Sequence, residues 1–283
     1  MRSKLVLLCL LALTTASCSG GGDSDSNDNG GGGEPPLSTN ACSVIGLSTR
    51  SAALPSDQPS LRIINGTACS TQNSPVVEVI VQTADSRFPF LCSGSLITPT
   101  DVLTAAHCFL GKTVTRTTII ANGASITGVA QVHPQAQIID GGGQAIFDVA
   151  VVRLARSLNI PTLPILVSVP VVENDVMSIF GYGLDENGNL ETLRSGQTRV
   201  SAVNTQYVES EYTGEGSNSC NGDSGGPGLI SIQKDGRTQS GIVGIVSSGS
   251  EDCGIGDLSL YTNVTSASNL NFIQSVAPGT NLL

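Results

Sequence analysis

Three short segments contain the residue types that nucleophilic hydrolysis needs. His107 lies in the sequence Ala-Ala-His-Cys, Asp148 begins an apolar stretch, and Ser224 lies in the glycine-rich sequence Asn-Gly-Asp-Ser-Gly-Gly-Pro. A serine hydroxyl is a poor nucleophile at neutral pH and needs a base within hydrogen-bond reach, a role that suits histidine. A carboxylate can hold that histidine in the right tautomer and stabilise the imidazolium that forms. Each segment alone is commonplace, but together they predict a Ser-His-Asp catalytic site.

The segments that must position these residues are short and rich in β-branched residues, and turn residues separate them. Apolar runs occupy residues 76–81, 94–97, 125–129, 148–154, 176–180 and 241–246, with Gly, Pro, Asn and Ser clusters between them. The chain holds 33 Gly and 13 Pro, only 13% of its residues are charged, and helical periodicity first extends over about residues 268–276. This pattern predicts an all-β fold, a sandwich or barrel, with a short helix near the C-terminus.

Together the three catalytic segments resemble the chymotrypsin/trypsin family of serine proteases. The order His, Asp, Ser along the chain is the family's order, and the resemblance extends from residue 63 to about residue 276. It implies an all-β fold of two antiparallel six-stranded β-barrels with a short C-terminal helix. His107 and Asp148 would lie in the first barrel and Ser224 in the second, with the cleft between them.

The resemblance also implies a role for each of these residues. His107 would be the general base, Asp148 the residue that orients it, and Ser224 the nucleophile. The backbone N–H groups of Gly222 and Ser224 would form the oxyanion hole. The second histidine, His133, resembles a structural His-Pro of the family and is expected to have no catalytic role.

The sequence Arg-Ile-Ile-Asn-Gly at residues 62–66 resembles the family's activation site. Cleavage after Arg62 would free the ammonium group of Ile63, which would pair with Asp223 and order the oxyanion hole and the substrate pocket. The chain is therefore expected to be made as an inactive precursor. The alternatives are that Arg62 is a solvated linker residue and that Asp223 is a simple turn carboxylate.

The cysteine content predicts an exported protein with disulfide bonds. Of eight cysteines, Cys9 lies in the N-terminal apolar run and Cys18 just after it, which leaves six. Six cysteines in an exported chain predict three disulfides, and spacing alone leaves their connectivity open. The family resemblance implies the pairs Cys92–Cys108 and Cys220–Cys253. Cys42 and Cys69 then remain, and the third expected pair is Cys42–Cys69. The last of these would keep the propeptide attached after activation.

The resemblance places four residues in the pocket for the P1 side chain: Asn218 at its base, Ser247 and Gly249 along the substrate backbone, and Ser259 as a narrowing side chain. An uncharged amide cannot balance a buried cation, so the expected P1 residue is neutral and of medium to large size. A small shift of this alignment would instead bring Asp257 into the pocket and restore a preference for basic residues.

The N-terminus resembles an export signal. Two basic residues within residues 1–4 precede an apolar run, residues 5–13, which is too short to span a bilayer. The sequence Ala-Ser-Cys ending at Cys18 resembles a bacterial lipoprotein cleavage box, with Cys18 as the lipidated residue. The alternative is ordinary secretory cleavage after Ala16. Residues 19–33 contain only Gly, Ser, Asp and Asn and are expected to be disordered.

These features predict four segments: a signal peptide (1–17), a disordered tether (18–40), a propeptide (41–62) and a trypsin-like protease domain (63–283). The expected location is outside the cytoplasm, as a bacterial outer-membrane lipoprotein or as a periplasmic or secreted protein.

Charge and residue content narrow the partners and cofactors. The 23 acidic residues against 13 basic ones give a net charge of −10, which argues against nucleic-acid binding. No Cys-x-x-Cys pair occurs and only two histidines are present, so no metal or other cofactor is expected. Expected partners are protein or peptide substrates, an activating protease, and a membrane only through a lipid at Cys18.

The sequence thus predicts a serine endopeptidase that works through an acyl-enzyme. The alternative function is that of a surface-tethered binding protein that uses a protease fold without significant catalysis.

Overall fold

The computed structural model describes residues 35–50, 63–139, 144–183, 192–250 and 252–283. The predicted signal peptide and Cys18 lie outside the described residues, as do most of the predicted tether and Arg62. Within the described ranges, no helix is both long enough and apolar enough to cross a membrane.

β-Strands form most of the regular structure of the described residues. In chain order they are β1 Thr67–Ala68, β2 Val76–Thr83, β3 Phe90–Thr98, β4 Asp101–Thr104, β5 Val114–Ala121, β6 Ala124–Val132, β7 Gln137–Ile138, β8 Ala145–Ile146, β9 Ala150–Leu154, β10 Val176–Gly181, β11 Arg194–Arg199, β12 Ala202–Val203, β13 Tyr207–Glu211, β14 Pro227–Lys234, β15 Arg237–Ser248 and β16 Leu258–Asn263. Helix α1 is Ala267–Val276, and short 3-10 turns lie at Cys42–Ile45 and Ala106–Cys108. Each apolar run singled out in the sequence overlaps a strand, so the all-β prediction with a C-terminal helix is confirmed.

The first half of the region after residue 63 is a closed antiparallel barrel with the strand order β2-β3-β4-β9-β6-β5. Val77, Val79 and Val81 of β2 are completely buried and pack with Leu96 and Val102. Residues two apart in a strand point to the same face, so these three valines place one face of β2 inside the barrel.

Two tight hairpin turns fix the register of neighbouring strands. β5 and β6 are joined by Asn122 and Gly123, with φ of 49° and 74°, and β14 and β15 by Asp235 and Gly236, with φ of 52° and 71°. A turn with positive φ at both central residues matches the twist of the paired strands, and Asn-Gly and Asp-Gly adopt it readily. The second of these turns leads into β15, the strand that contains the predicted pocket residue Ser247.

The second half is an antiparallel sheet of eight strands in the order β1-β11-β10-β14-β15-β16-β13-β12. The sequence led us to expect six strands here, and the two-residue strands β1 and β12 extend the sheet at its two ends. Thr67 pairs with Ser195 at one end, and Ala202 pairs with Glu209 at the other. Such additions arise because backbone groups at a sheet edge pair with any extended segment that lies beside them.

A central hydrophobic cluster joins the two halves and the helix. It includes Leu103 and Val151 of the first barrel, Ile245 of the second sheet and Ile273 of α1, all completely buried. Burial of such side chains is the main favourable contribution to folding, at about 25 cal/mol for each Å² of apolar surface. The cluster therefore holds together the two halves that carry the predicted catalytic residues.

Residues 36–50, here called the pro-segment, pack against the second sheet. This is the stretch where the sequence analysis placed the end of the tether and the start of the propeptide. The disulfide Cys42–Cys69 joins the pro-segment to the residue that directly follows β1. Cys42, Ala41 and Leu47 are buried and belong to the central hydrophobic cluster. The pro-segment is therefore part of the folded core.

His133 is buried beside the helix. Its ring stacks on Phe147 with centroids 5.1 Å apart and meets the edge of the Phe272 ring at 4.9 Å. The N–H of Gln135 donates to Nδ1 at 3.2 Å, and Nε2 lies 3.3 Å from the Ser268 hydroxyl. Burial lowers the pKa of His133 below the usual histidine value.

The environment of His133 predicts that the protein loses stability on acidification. Folded His133 binds a proton less readily than unfolded His133, so the free energy of unfolding falls as the pH drops below the ordinary histidine pKa of about 6.5. Urea denaturation at about pH 7.5 and about pH 5.5 should show a smaller decrease for His133→Gln than for the unchanged chain. An equal decrease in both proteins would contradict this origin.

Candidate active site

His107 lies at the end of the first barrel, in the 3-10 turn Ala106–Cys108 that follows β4. The disulfide Cys92–Cys108 ties this turn to β3. The Lys112 ammonium donates to the His107 carbonyl at 2.7 Å and lies 4.8 Å from the centre of the Phe90 ring. These contacts hold the histidine backbone, while its side chain stays 21% exposed and accessible to a substrate.

The Asp148 carboxylate is completely buried and accepts three hydrogen bonds. Oδ1 accepts the backbone N–H of His107 at 2.7 Å, and Oδ2 lies 2.7 Å from Nδ1 of the same residue. The Ser247 hydroxyl donates to Oδ2 at 2.6 Å. An ionised carboxylate only accepts, so Nδ1 of His107 carries the proton and Nε2 keeps a free lone pair. This is the tautomer that can take a proton from a nucleophile.

Ser247 connects the second half of the molecule to Asp148. It lies near the end of β15, next to Val246, which exchanges hydrogen bonds with the loop of the nucleophile. Gly225 N–H donates to the Val246 carbonyl at 2.7 Å, and Val246 N–H donates to the Gly226 carbonyl at 2.9 Å. The same strand therefore contacts Asp148 and positions the loop of Ser224.

Ser224 lies in a turn whose conformation and close contacts require glycine. Gly222 has a φ of 90° and Gly225 a φ of 79°, values that residues other than glycine rarely adopt. A Cβ on Gly225 would lie 2.5 Å from the Ser93 carbonyl oxygen and 2.8 Å from the Ala105 nitrogen. The Ser93 N–H also donates to the Ser224 carbonyl at 2.7 Å. The loop of the nucleophile is thus in direct backbone contact with the segment that leads to His107.

The two N–H groups predicted to form the oxyanion hole are available to a ligand. Within the described residues, neither the Gly222 N–H nor the Ser224 N–H donates a hydrogen bond. The Ser224 hydroxyl is not hydrogen bonded to His107 in this structure. Such catalytic hydrogen bonds are often long before substrate binds and tighten in the complex.

Asp223, the residue before the nucleophile, is completely buried. Its carboxylate accepts the N–H of Gly183 at 3.0 Å and the N–H of Cys220 at 2.9 Å. A Cβ on Gly181 would lie 2.0 Å from the Asp223 carboxylate, so only glycine fits at that position. Asp223 is therefore enclosed in the second half of the molecule rather than solvated in an open turn.

The residues that follow Arg62 are attached to the second half as well. Ile63 is completely buried and packs with Met177 and Ile179. The Ile64 N–H donates to the Asn218 carbonyl at 2.7 Å, and the Asn218 N–H donates back at 3.2 Å. The segment after the predicted activation site is thus bonded to the residue expected at the base of the substrate pocket.

A cavity of about 240 Å³ opens beside the nucleophile. It is lined by Ser219, Cys220, Asn221, Ser224, Val246, Ser247, Ser248, Gly249, Ser250 and Cys253. Two of the four predicted pocket residues, Ser247 and Gly249, line this cavity, whereas Asn218 and Ser259 are buried outside its lining. The disulfide Cys220–Cys253 joins two residues of the lining.

Asp257 is buried next to Asn218, behind the wall of this cavity. Its carboxylate accepts from the Asn218 amide at 2.6 Å, from the Ser259 hydroxyl at 3.2 Å and from the Ser250 N–H. Gly249 lines the cavity, and a Cβ on it would lie 3.2 Å from the carboxylate, so the carboxylate lies close behind the Gly249 backbone. None of its hydrogen-bond donors carries a charge.

The sequence analysis missed contacts made by common residue types. It assigned Ser247 to substrate binding and gave no hint of its bond to Asp148. It also gave no role to Lys112, whose pKa burial lowers from its usual value, an effect that the charge of Asp148 only partly offsets. The only sequence signal for Lys112 is its closeness to His107, which is not specific.

One group of residues in the described ranges offers metal-ligand atoms close together: Cys92, His107 and Cys108, within 4.8 Å of one another. The two cysteines are bonded to each other. A disulfide sulfur is not the thiolate that binds zinc, so this donor set does not fit a metal.

A Ser-His-Asp set where a closed β-barrel meets a second antiparallel sheet defines a protein of the chymotrypsin/trypsin class. The chain belongs to the trypsin family of serine proteases, whose sequence profile, described as Trypsin, matches residues 63–271.

Individual relatives agree with this assignment. Chymotrypsin of Phaedon cochleariae is 30% identical over 252 residues, which cover 78% of this chain and 84% of that protein. Glucanase inhibitor protein 3 of Phytophthora infestans is 31% identical over 214 residues, covering 66% of this chain and 78% of that protein. Spermosin of Halocynthia roretzi is 27% identical over 220 residues, covering 66% of this chain and 54% of that protein. The chain thus spans about half the length of spermosin.

Removing the Ser247 hydroxyl should slow catalysis without unfolding the protein. Asp148 would keep its two bonds to His107 and lose its third donor. The kcat for ester hydrolysis should therefore fall by about tenfold, the effect of one hydrogen bond to a charged group. Ser240→Ala is the matched control on the same strand, since among the described residues the Ser240 hydroxyl bonds only to that of Ser231, at 2.7 Å. A kcat for Ser247→Ala equal to that of the control would contradict this role.

Proposed function

We propose that this protein is a serine endopeptidase that cleaves peptide bonds through an acyl-enzyme on Ser224. The observation that carries the proposal is the buried Asp148 carboxylate. It holds His107 in the tautomer of a general base and, through Ser247, fixes the strand that positions the nucleophile. Membership of the trypsin family supports the same activity.

In the proposed mechanism, Nε2 of His107 takes the proton of the Ser224 hydroxyl while Oγ attacks the substrate carbonyl. The N–H groups of Gly222 and Ser224 stabilise the oxyanion that develops. His107 then gives the proton to the leaving amine, and the acyl group stays on Ser224. Water activated by the same ring hydrolyses this ester and restores the serine. Asp148 stays ionised throughout and stabilises the imidazolium.

The chain is proposed to be a precursor that a second protease activates by cleavage after Arg62. The complete burial of Ile63 supports this, because the new N-terminus would form inside the second half of the molecule. Its ammonium group would pair with the buried carboxylate of Asp223, next to the nucleophile. The disulfide Cys42–Cys69 would keep the pro-segment attached to the activated enzyme.

Labelling with a fluorophosphonate probe tests both the nucleophile and the activation. The expected result is labelling of Ser224 only after limited cleavage at Arg62, because the probe reacts with an activated serine. Ser224→Ala, cleaved in the same way, should stay unlabelled. Equal labelling before and after cleavage would contradict the precursor proposal, and no labelling in either state would contradict the enzyme proposal.

The sequence position of Asn218 led us to expect that the enzyme prefers substrates with a neutral P1 residue. The contacts of Asp257 instead support a preference for a basic P1 residue. Among the described residues, the hydrogen-bond donors to the buried Asp257 carboxylate are all uncharged, so none of them would compete with a substrate cation for it. The Ser219 hydroxyl, in the cavity wall, donates to Ser259 at 3.1 Å, and Ser259 in turn bonds to the carboxylate. The proposed P1 residue is therefore Arg or Lys.

Neutralising Asp257 tests this preference. Asp257→Asn keeps the size of the side chain and removes its charge, so kcat/KM for substrates with P1 Arg or Lys should fall by about ten- to hundredfold. Substrates with a neutral P1 residue should change little. Asp252→Asn, an exposed carboxylate of the same loop, is the control. If the unchanged enzyme cleaves after neutral residues faster than after basic ones, the Asp257 proposal is wrong and the preference expected from Asn218 stands.

The three disulfides and the trypsin fold are typical of exported proteins. The bacterial origin and the lipid at Cys18 rest on the N-terminal sequence alone, and the relatives, which are mostly eukaryotic, do not support a bacterial source. We therefore propose an exported enzyme that acts on proteins or peptides. Its membrane anchor at Cys18 is a separate proposal, and mass measurement of the mature N-terminus would test it.

The second candidate function is that of a binding protein that uses the protease fold without significant catalysis. The similarity to glucanase inhibitor protein 3, an inhibitor by its name, favours this candidate. The buried contact between Asp148 and His107 counts against it, because a binding surface does not need a histidine held as a general base. The labelling experiment separates the two candidates.

A further inference from the structure

Gln197 of β11 joins the pro-segment to the substrate pocket. Its backbone N–H donates to the Ser38 carbonyl at 2.8 Å, and its side-chain Oε1 accepts the Ser38 N–H at 2.9 Å. The Gln197 carbonyl accepts the N–H of Ser217 at 2.8 Å. One residue of the sheet thus bonds both to the pro-segment and to the residue immediately before Asn218.

Leu37 of the pro-segment packs on the same stretch. A Cβ on Gly216 would lie 2.9 Å from Cβ of Leu37 and 3.0 Å from its Cδ1, so the half-buried leucine lies directly against the Gly216 backbone. Gly216 has a φ of 66°, and Ser217 beside it is completely buried. Close packing of this kind restricts the positions that the backbone can take.

The opposite side of this stretch is held by the segment that follows the activation site. Asn218 exchanges two backbone hydrogen bonds with Ile64, and its side chain donates to Asp257 at 2.6 Å. Residues 216–218 therefore lie between the pro-segment and the segment that cleavage would make N-terminal. Both contacts act on the backbone that leads into the wall of the substrate cavity.

The pro-segment is attached in a way that suits a permanent support. The disulfide Cys42–Cys69 links it covalently, and the Ala41 N–H donates to the Ser195 hydroxyl at 3.0 Å. No hydrogen bond of residues 36–50 reaches the Ser-His-Asp set within the part of the chain that the structure describes. A segment that blocked the site would have to contact the cleft, whereas the described contacts of residues 36–50 are with the second sheet.

We propose that the pro-segment is a permanent part of the active enzyme, in which Leu37 and Ser38 position residues 216–218 beneath the P1 pocket. The proposal rests on the proposed protease function and deepens it. Leu37 and Ser38 are positioning residues that set substrate affinity, whereas the triad carries out the chemical step. After cleavage at Arg62, removal of this support would weaken P1 binding and leave the reactivity of Ser224 unchanged.

Kinetics of the full chain, activated at Arg62, test this assignment. Leu37→Ala should raise KM for peptide substrates by about five- to tenfold, because the backbone of residues 216–218, which leads into the pocket wall, loses one packing contact and loosens its hydrogen bond to Gln197. The kcat should stay unchanged, and so should the rate of inactivation by a small dialkyl fluorophosphate, which has no P1 side chain. Leu37→Met, which fills the same space, should restore the original KM.

Leu47→Ala is the matched control, since Leu47 belongs to the same pro-segment but is buried in the central hydrophobic cluster. It should lower the urea midpoint of unfolding and leave KM unchanged. An unchanged KM in Leu37→Ala would overturn the proposal. An equal rise in KM in both variants would also overturn it, because general loosening would then explain the effect.

Amide hydrogen exchange tests the same contact without any need for activity. The N–H groups of Ser217 and Asn218 should exchange about tenfold faster in Leu37→Ala than in the unchanged chain, and Leu47→Ala should not share this local change. If the unchanged chain proves to have no hydrolase activity but exchange accelerates in this way, the proposed function fails and the positioning contact stands. If exchange at these two residues does not change, the positioning proposal fails whatever the activity.

Discussion

The buried carboxylate of Asp148 is the interaction on which the arrangement of the active site depends. A charge removed completely from water is tolerated only when donors surround it, and without them the penalty is several kcal/mol. Its donors come from both halves of the molecule: the backbone and ring of His107 from the first barrel, and the Ser247 hydroxyl from the second sheet. The two halves can therefore pack in only one relative position. In that position the loop of Ser224, which is hydrogen bonded to the strand of Ser247, lies beside the segment of His107.

Close backbone contact is the second constraint, and it links catalysis to substrate binding. Gly225 lets the loop of the nucleophile touch the segment before His107, and Gly216 lets Leu37 of the pro-segment lie against the chain that leads into the pocket. At both positions a side chain would push two segments apart. The pocket wall, the segment that follows Arg62 and the pro-segment thus share one network of contacts. The proposed positioning role of the pro-segment therefore predicts that a change in it alters the geometry of the pocket, because packed backbone segments have little freedom to adjust.

The sequence predicted the features that short segments specify by themselves, namely the Ser-His-Asp motifs and the longer strands. The catalytic residues stand in short motifs, and runs of β-branched residues mark the longer strands, so both were predictable. The bond between Ser247 and Asp148 was not, because a serine near a strand end carries no specific signal. The position of Asp257 depends on the path of a loop that turns at Gly256, with a φ of 91°. The two-residue strands that extend the second sheet to eight are too short to leave a periodic pattern, and they form only because a sheet edge lies beside them.

Active-site titration would show whether Ser224 forms an acyl-enzyme that depends on Asp148. The activated protein would be mixed with an ester whose acyl-enzyme breaks down slowly, and the leaving group released in the first turnover would be measured. We expect a burst of about one equivalent per chain, with the acyl group found on Ser224 by mass spectrometry. We also expect Asp148→Asn to slow this burst by orders of magnitude, because the histidine then adopts the wrong tautomer. The absence of a burst, an acyl group on another residue, or a burst unaffected by Asp148→Asn would contradict the proposed Ser-His-Asp mechanism.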